Sequence, residues 1–439
     1  MSLAFSNDEH HPMIEALLRP RVPRWEQLNL AIDERDDMLD FALELFEHDR
    51  DVALTNYFQN GLEQFEIVKH IASWRGKPVR TMLDFASGYG RLTRFLVHEH
   101  LAEEITVSDI LEGGMEFQAR EFGVRTILST AFPENLATPQ KYDLIFVASL
   151  FTHLPPATFH PWLKRLATLL EPEGLLIFSV HDESIAPKKV SEGINFEAYS
   201  ESRVLDASDY GSTWVTEGYV REQVASIDPS FACVRVPFGL SEWQDLYVVS
   251  PSPIANPRRR RTPKGFIEHC HVVDDGIRFD GWATVVEEAP DRVEVRIDDD
   301  IVATTSEFYA RGDVASLFAS EGATKSGWEL LVPHEAVRSF RYQTVTVSVF
   351  SRENVERILF LGTIDAASGF VAKERARVRD KQLAERDAKI ATLEHENAVL
   401  AHQRATLEQQ IAAMKQSKFW RARERWFRVK RAVGLTEEE

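Results

Sequence analysis

Four short apolar runs, TMLDF (81–85), EITVSD (104–109), YDLIFVAS (142–149) and GLLIFSV (174–180), recur between segments of helical pattern. In all but EITVSD, apolar residues stand at consecutive positions, so neither face of such a strand is left for water. Strands of this kind belong to parallel sheets, whose crossover helices cover the sheet on both sides. The alternation predicts an α/β domain with a mostly parallel sheet over about 51–250. Residues 1–50 are more polar, with one apolar-faced segment, DMLDFALELF (37–46), and are read as an N-terminal helical segment.

The pattern changes at 251–265, PSPIANPRRRRTPKG, where prolines and the four consecutive arginines 258–261 break both periods. A solvated linker is predicted there. Period-two alternation follows: Val293, Val295 and Ile297 alternate with Glu294 and Arg296, and Val345, Val347 and Val349 with Thr344, Thr346 and Ser348. These read as half-buried antiparallel strands, so 266–366 is expected to be a small all-β, sandwich-like domain. Beyond Gly369 neither Pro nor Gly occurs up to 414, and a heptad emerges. Leu383, Ile390, Asn397, Arg404 and Ile411 form one series, and Leu393, Leu400, Leu407 and Met414 the other. This predicts a coiled coil over 369–414, roughly 70 Å long at 1.5 Å per residue. Asn397 at a core position favours a parallel homo-oligomer.

The chain carries 51 Lys and Arg against 69 Asp and Glu, a net charge of −18. Phosphate contacts need clustered cations, so no nucleic-acid partner is expected. The sign reverses between Lys415 and Arg431, where eight Lys and Arg accompany one Glu; this stretch serves a purpose the body does not. Two cysteines, Cys233 and Cys270, make no disulfide framework, and a reducing compartment is the simplest reading. The N-terminal MSLAFSNDEHHP lacks a basic segment followed by an apolar one. The longest apolar stretch, near 143–151, is under half of the ~20 residues that span a bilayer. A cytoplasmic chain that does not cross a membrane is expected.

The segment TMLDFASGYGRLTRFL (81–96) bears the chemistry. A strand ends near Asp84, a loop of small residues follows (Ala86, Ser87, Gly88, Gly90), and a helix begins. Small residues let a ligand approach the backbone, and a helix N-terminus offers free N–H groups. Asp109 ends the next strand nineteen residues after Gly90, where a carboxylate accepts both hydroxyls of a ribose. A dinucleotide fingerprint starting at Gly88 would need glycine at 93, which is Thr93. Asp84 would repel a phosphate and welcome a cationic amino-acid group. An ammonium, a sulfonium and a ribose together describe S-adenosylmethionine.

On these residues the chain resembles the class I SAM-dependent methyltransferases. Their first motif matches Asp84-Phe85-Ala86-Ser87-Gly88-Tyr89-Gly90, their second-strand acid Asp109 with Ile110 after it, their fourth strand YDLIFVASLFTHLPP (142–156), and their fifth-strand approach LLEPEGLLIFSV (169–180). The resemblance, over roughly 51–250, implies an α/β Rossmann-like methyltransferase domain with S-adenosyl-L-methionine as cofactor; the small all-β sandwich-like domain and the C-terminal coiled-coil helix read from periodicity follow it. The resemblance carries cofactor contacts to Asp84, Ala86, Ser87, Gly88, Gly90, Asp109, Ile110 and Ser149. Ala86 replaces the usual glycine and is compatible with the loop if its φ is negative. The adenine-contacting loop after the third strand lacks the usual acid, so Thr130, Ala131 and Phe132 are expected to serve through a backbone N–H and ring packing.

Methyl transfer asks for an acceptor held in line about 3 Å away and, for a hydroxyl, for removal of its proton. His153, after the fourth strand, and His181 with Asp182, at the end of the fifth, are the candidate catalytic residues. Tyr210, Trp214 and Trp243 are candidate acceptor contacts, since aromatic rings make flat walls for sugars. No metal-ligand spacing such as HExxH or paired CxxC occurs, and no metal is assigned.

In KFWRARERWFRVKRAVGL (418–435), Phe419, Trp420, Trp426, Phe427 and Val433 fall on one helical face among basic residues. A basic amphipathic helix over 415–435 follows, suited to an anionic membrane surface or to a partner protein such as a glycosyltransferase. The order of domains resembles methyltransferases fused to a coiled coil in bacterial surface-polysaccharide (O-antigen) synthesis. That resemblance implies O-methylation of a cell-surface glycan or its lipid-linked precursor, peripherally on the inner membrane. A small-molecule or protein methyltransferase and a catalytically weak scaffold are the alternatives.

Overall fold

The computed structural model describes residues 5–6, 11–198 and 205–367 except 242, 256, 259, 286–287, 299 and 319–322, and then 369, 389, 400, 403–414 and 418–432. Residues 1–367 make one compact unit and 368–439 another.

In the first unit, β1 (Val79–Phe85), β2 (Ala102–Asp109), β3 (Arg125–Leu128), β4 (Tyr142–Val147) and β5 (Leu170–Asp182) lie parallel in the order β3-β2-β1-β4-β5. Past β5, two later strands close the sheet: β9 (Gln244–Ser250) runs antiparallel to β5, and β8 (Ala232–Leu240) antiparallel to β9. The tip of β5 also pairs His181 with Trp214 of β7 (Ser212–Val215), which β6 (Ile194–Glu197) flanks. The mixed sheet with its crossover helices is a Rossmann-like methyltransferase architecture, as the apolar runs required.

Alternate side chains of each central strand enter two separate cores. Met82, Leu144, Phe146 and Ile177 join α3 (Arg50–Ala72) and α4 (Thr93–His98) on one face. Leu83, Ile145, Val147 and Phe178 join α6 (Pro156–Ala167) and α7 (Glu217–Ile227) on the other. The N-terminal segment is part of the first core: Ile14, Leu17 and Leu18 of α1 (Pro12–Leu18), with Leu39 and Leu43 of α2 (Asp37–Leu45), are buried in it. On β2, Asp109 leads into α5 (Glu112–Phe122).

The strands after the linker form two antiparallel four-stranded sheets. One is β10 (Lys264–Val273), β11 (Gly276–Thr284), β15 (Lys325–Pro333) and β14 (Tyr309–Ala310); the other is β13 (Asp300–Thr305), β12 (Arg292–Ile297), β16 (Thr344–Phe350) and β17 (Glu356–Thr363). Each buries an alternating apolar face, Ile277, Phe279, Trp328 and Leu330 in one, Val293, Val295, Val345 and Val347 in the other, as two packed layers require. The expected solvent face of β16 is absent. Thr346 and Ser348 are buried as well, because α1 packs across β16 and β17. Arg21 seals this contact with a bidentate pair to Glu356, at 2.8 and 2.6 Å.

The linker departs from expectation too. Arg258 is exposed, but the carbonyl of Arg258 takes His70 Nε2 at 2.6 Å, Arg260 reaches Glu66, and Arg261 pairs with Glu288 at 2.8 Å. Its arginines hold the chain down because acidic residues lie on both neighbouring elements.

In the second unit, 403–414 and Lys418–Ala432 are helical. Leu407, Ile411 and Met414 are exposed. Leu383, Ile390, Leu393 and Asn397 of the heptad lie outside the described residues, as does Val433 of the terminal face. Among the described residues no helix is long and apolar enough to cross a membrane.

Gly61 of α3 sets the distance to the loop that opens α4. A Cβ there would stand 2.5 Å from the Arg91 carbonyl oxygen and 2.8 Å from the Phe95 ring. Gly61→Ala is expected to destabilise the protein by about 1–3 kcal/mol, the usual cost of overpacking, read as a lower urea midpoint with unchanged slope.

Candidate active site

The loop after β1 is pinned from two sides. Asp109 at the tip of β2 accepts Gly88 N–H at 2.8 Å through one oxygen and Leu111 N–H at 3.0 Å through the other. Gln118, one face of α5, donates from Nε2 to Ser87 Oγ and to the Gly88 carbonyl, both at 2.9 Å. Ala86 and Ser87 N–H groups both bond the Ser108 carbonyl. The chain must then reverse in very little space. Gly88 and Gly90 take φ of 55° and 83°, and a Cβ on Gly90 would meet the Phe122 ring at 2.5 Å. A Cβ on Gly88 would meet nothing within 4 Å, so this side of the loop faces open space.

Ala86 is left-handed, with φ 59°, against the negative φ expected for it. Ser149, just past β4, is left-handed as well, with φ 58°. Such a conformation costs an L-residue about 1–2 kcal/mol, and strain of this size gathers at functional sites. At Ser149 the surroundings impose it: its N–H bonds Ser179 Oγ at 2.7 Å, and its Oγ accepts from Gln244 Nε2 at 3.0 Å.

Asp84 is 3% exposed, and the Thr93 hydroxyl donates to it at 2.9 Å. Burial, with a smaller push from Asp109, raises its pKa to about 7 despite that bond. Burial raises Asp109 as well, against the N–H bonds it accepts. Two buried carboxylates beside an open glycine face make a site that favours cationic and hydroxyl-bearing ligands. Ile110 follows Asp109, half-buried.

Beyond β3 the correspondence weakens. Thr130 Oγ1 accepts the Phe132 N–H at 3.1 Å and donates to the Phe132 carbonyl at 2.6 Å. The N–H expected for adenine is therefore spent in a local turn, as a threonine two residues upstream favours. Ala131 is exposed, and Phe132 is 59% exposed.

The candidate catalytic residues divide. His153 and His181 come together, ring centroids 6.5 Å apart, with Tyr210 stacked on His153 at 4.4 Å and Trp214 beside His181 at 6.1 Å. His153 is oriented by its Nδ1, which donates to the Gly211 carbonyl at 2.7 Å. His181 Nδ1 is buried with no hydrogen-bond partner. Burial, then His153, lowers the His181 pKa to about 4, so its ring is neutral at pH 7.

Asp182 does not pair with His181. Successive residues of a strand point to opposite faces, and Asp182 turns to Arg235, at 2.8 Å. Arg235 also binds Asp245 at 2.5 Å and Glu217 at 2.8 Å, one guanidinium holding β5, β9 and α7 together. Trp243 stands in the β8–β9 turn, 54% exposed, outside this aromatic group.

Thr93, Gln118, Ser179, Arg235 and Gln244 were not singled out from the sequence. Thr93 alone carried a local signal, a hydroxyl at the first position of the helix after the glycine loop. Among the described residues no group of His, Cys, Asp and Glu is placed to hold a metal ion.

Residues 83–176 match the family model Methyltransf_12, a methyltransferase domain. A SAM-dependent methyltransferase from Clostridium acetobutylicum is 14% identical, covering 49% of this chain and 97% of its own, with a TM-score of 0.36. The 1,6-didemethyltoxoflavin-N1-methyltransferase of Burkholderia thailandensis is 19% identical, covering 48% and 85%, TM-score 0.33. The glycopeptide N-methyltransferase MtfA is 14% identical, covering 42% and 89%, TM-score 0.32. No curated protein matches. The family match falls on the strand–loop–helix just described, and residues 83–176 carry a methyltransferase domain, whose methyl donor is expected to be S-adenosylmethionine.

The residues fit that cofactor: Asp84 supplies a buried negative charge for an ammonium, Asp109 an acceptor for ribose hydroxyls, and Gly88 the room. A cation beside Asp84 pulls its pKa down from about 7, so binding releases a proton below that pH. Affinity for S-adenosylmethionine is expected to fall as pH drops from 8 to 6, with proton release at pH 6 visible as a buffer-dependent calorimetric heat. Asp84→Asn is expected to remove the pH dependence.

Proposed function

We propose that the enzyme methylates a hydroxyl of a cell-surface glycan or of its lipid-linked precursor, at the cytoplasmic face of the membrane. The observation that carries this reading is the unpaired Nδ1 of His181, on a ring kept neutral beside His153 and Trp214, with Tyr210 stacked on His153. A hydroxyl acceptor must lose a proton as its oxygen is alkylated, and a neutral imidazole nitrogen takes it. The aromatic rings offer flat apolar walls of the kind that sugars lie against. When bound, the cofactor supplies a methyl group already activated by its sulfonium charge. The protein's share is then positioning and proton removal. In this reading His181 is the base, and His153, fixed by Gly211 and stacked under Tyr210, sets the wall against which the acceptor rests.

The terminal helix supports the membrane part. In Lys418–Ala432, Phe419 is 78% exposed, Trp426 58% and Val429 62%. Arg423 lies over Trp420 and Phe427 at 4.9 and 5.1 Å, and Lys430 over Trp426 at 5.1 Å. Such a helix lies in the headgroup region, with rings inward and cations on anionic phosphates. A parallel coiled coil would bring two such helices to one surface and multiply their hold.

With methyl-labelled S-adenosylmethionine and a membrane extract, label is expected in the lipid-linked glycan fraction and absent with Asp109→Ala. His181→Ala is expected to lower turnover by about 10² or more with cofactor affinity intact. Label in the protein or small-molecule fraction would discard the glycan, and an unchanged rate would remove the base.

Ending the chain after Met414 is expected to leave methylation of a soluble acceptor unchanged and to abolish co-sedimentation with anionic vesicles. A shortened chain that still pellets would place the membrane contact elsewhere.

A further inference from the structure

A cavity of about 590 Å³ opens between α3, the end of β8, the linker and β17, within the size range of small-molecule sites. It shares no residue with the site above. Seven Lys and Arg line it against three Glu. Most of these cations are already matched. Arg21 takes Glu356 and Arg357 takes Glu63, while Arg292 and Arg296 share Glu294 and Arg261 holds Glu288.

One is matched only loosely and one not at all. Arg260 is 20% exposed and has one carboxylate among the described residues, Glu66, at a loose 3.5 Å. Lys264 lies over the Phe238 ring at 5.1 Å, with no carboxylate among the described residues. A third group on the wall is short of a partner: Trp74 is 5% exposed, and its indole Nε1–H is buried without an acceptor. All three are donors, and a buried donor left unmade is costly. Burial already works against the charge on Arg260 more than Glu66 supports it.

From these groups we infer a second ligand site in this cavity, for a phosphate or diphosphate group. An acceptor-rich anion is what these donors lack, and Lys264 with the loosely paired Arg260 calls for more than one negative charge. The inference is independent of the acceptor proposed above, since it rests on different residues.

The test uses the full-length protein with inorganic pyrophosphate at 150 mM salt, by calorimetry and by thermal unfolding. One pyrophosphate per chain is expected, with an unfolding midpoint that climbs with its concentration. Arg260→Gln with Lys264→Gln is expected to weaken binding at least tenfold while S-adenosylmethionine affinity stays the same. Glu66→Gln, which releases Arg260, is expected to tighten it, a gain that misfolding does not produce. Dihexanoylphosphatidic acid below its micellar concentration identifies the source. Binding as tight as that of pyrophosphate and equally lost in the double variant assigns a lipid phosphate, and no binding assigns a soluble one. Absence of binding by both probes, or binding equal in wild type and double variant, as the basic tail would give, overturns the site.

Discussion

The cofactor loop depends on one bond above the others, from Gly88 N–H to the Asp109 carboxylate at 2.8 Å. It ties the turn after β1 to the tip of β2, so the first two strands present their ends as one surface. Gln118 then clamps the other side of the same turn through Ser87 and Gly88. With the loop held twice, Ala86 and both glycines persist at positive φ. Asp84 sits beneath it with little besides the Thr93 hydroxyl to offset its burial. The unfavourable carboxylate and the strained backbone have the same origin: neighbours rigid enough to impose them, around a space suited to a cation.

The central strands were readable because burial on both faces leaves a mark that no half-exposed strand shares. That same criterion missed β16, whose alternating Thr and Ser looked solvent-facing until α1 was laid across it. Threonine and serine are small enough to be buried at modest cost when another element covers them, so polarity alone does not report exposure. Within the site, Asp84, Gly88 and Asp109 were legible through their spacing along strand, loop and strand. Gln118 was not, because its role comes from the way α5 packs back on the loop thirty residues earlier. The φ of Ala86 was likewise hidden, since it is set by the Ser108 carbonyl across the sheet. The arginine run reads as linker from its prolines. Its acidic partners, Glu66 and Glu288, come from either side of it in the chain.

The electrostatics of the cleft follow from strand alternation. Phe178 and Val180 enter the core under α6 and α7, so Asp182, two residues on, points the same way and meets Arg235 there. His181 points to the other face. A carboxylate beside that imidazole would favour the protonated ring and raise its pKa. Arg235 instead absorbs Asp182 together with Asp245 and Glu217, and burial, helped by the neighbouring His153, keeps the His181 pKa low. The ring therefore stays neutral with one nitrogen unpaired. The residue that most resembles a catalytic partner in the sequence serves the site by being held away from it.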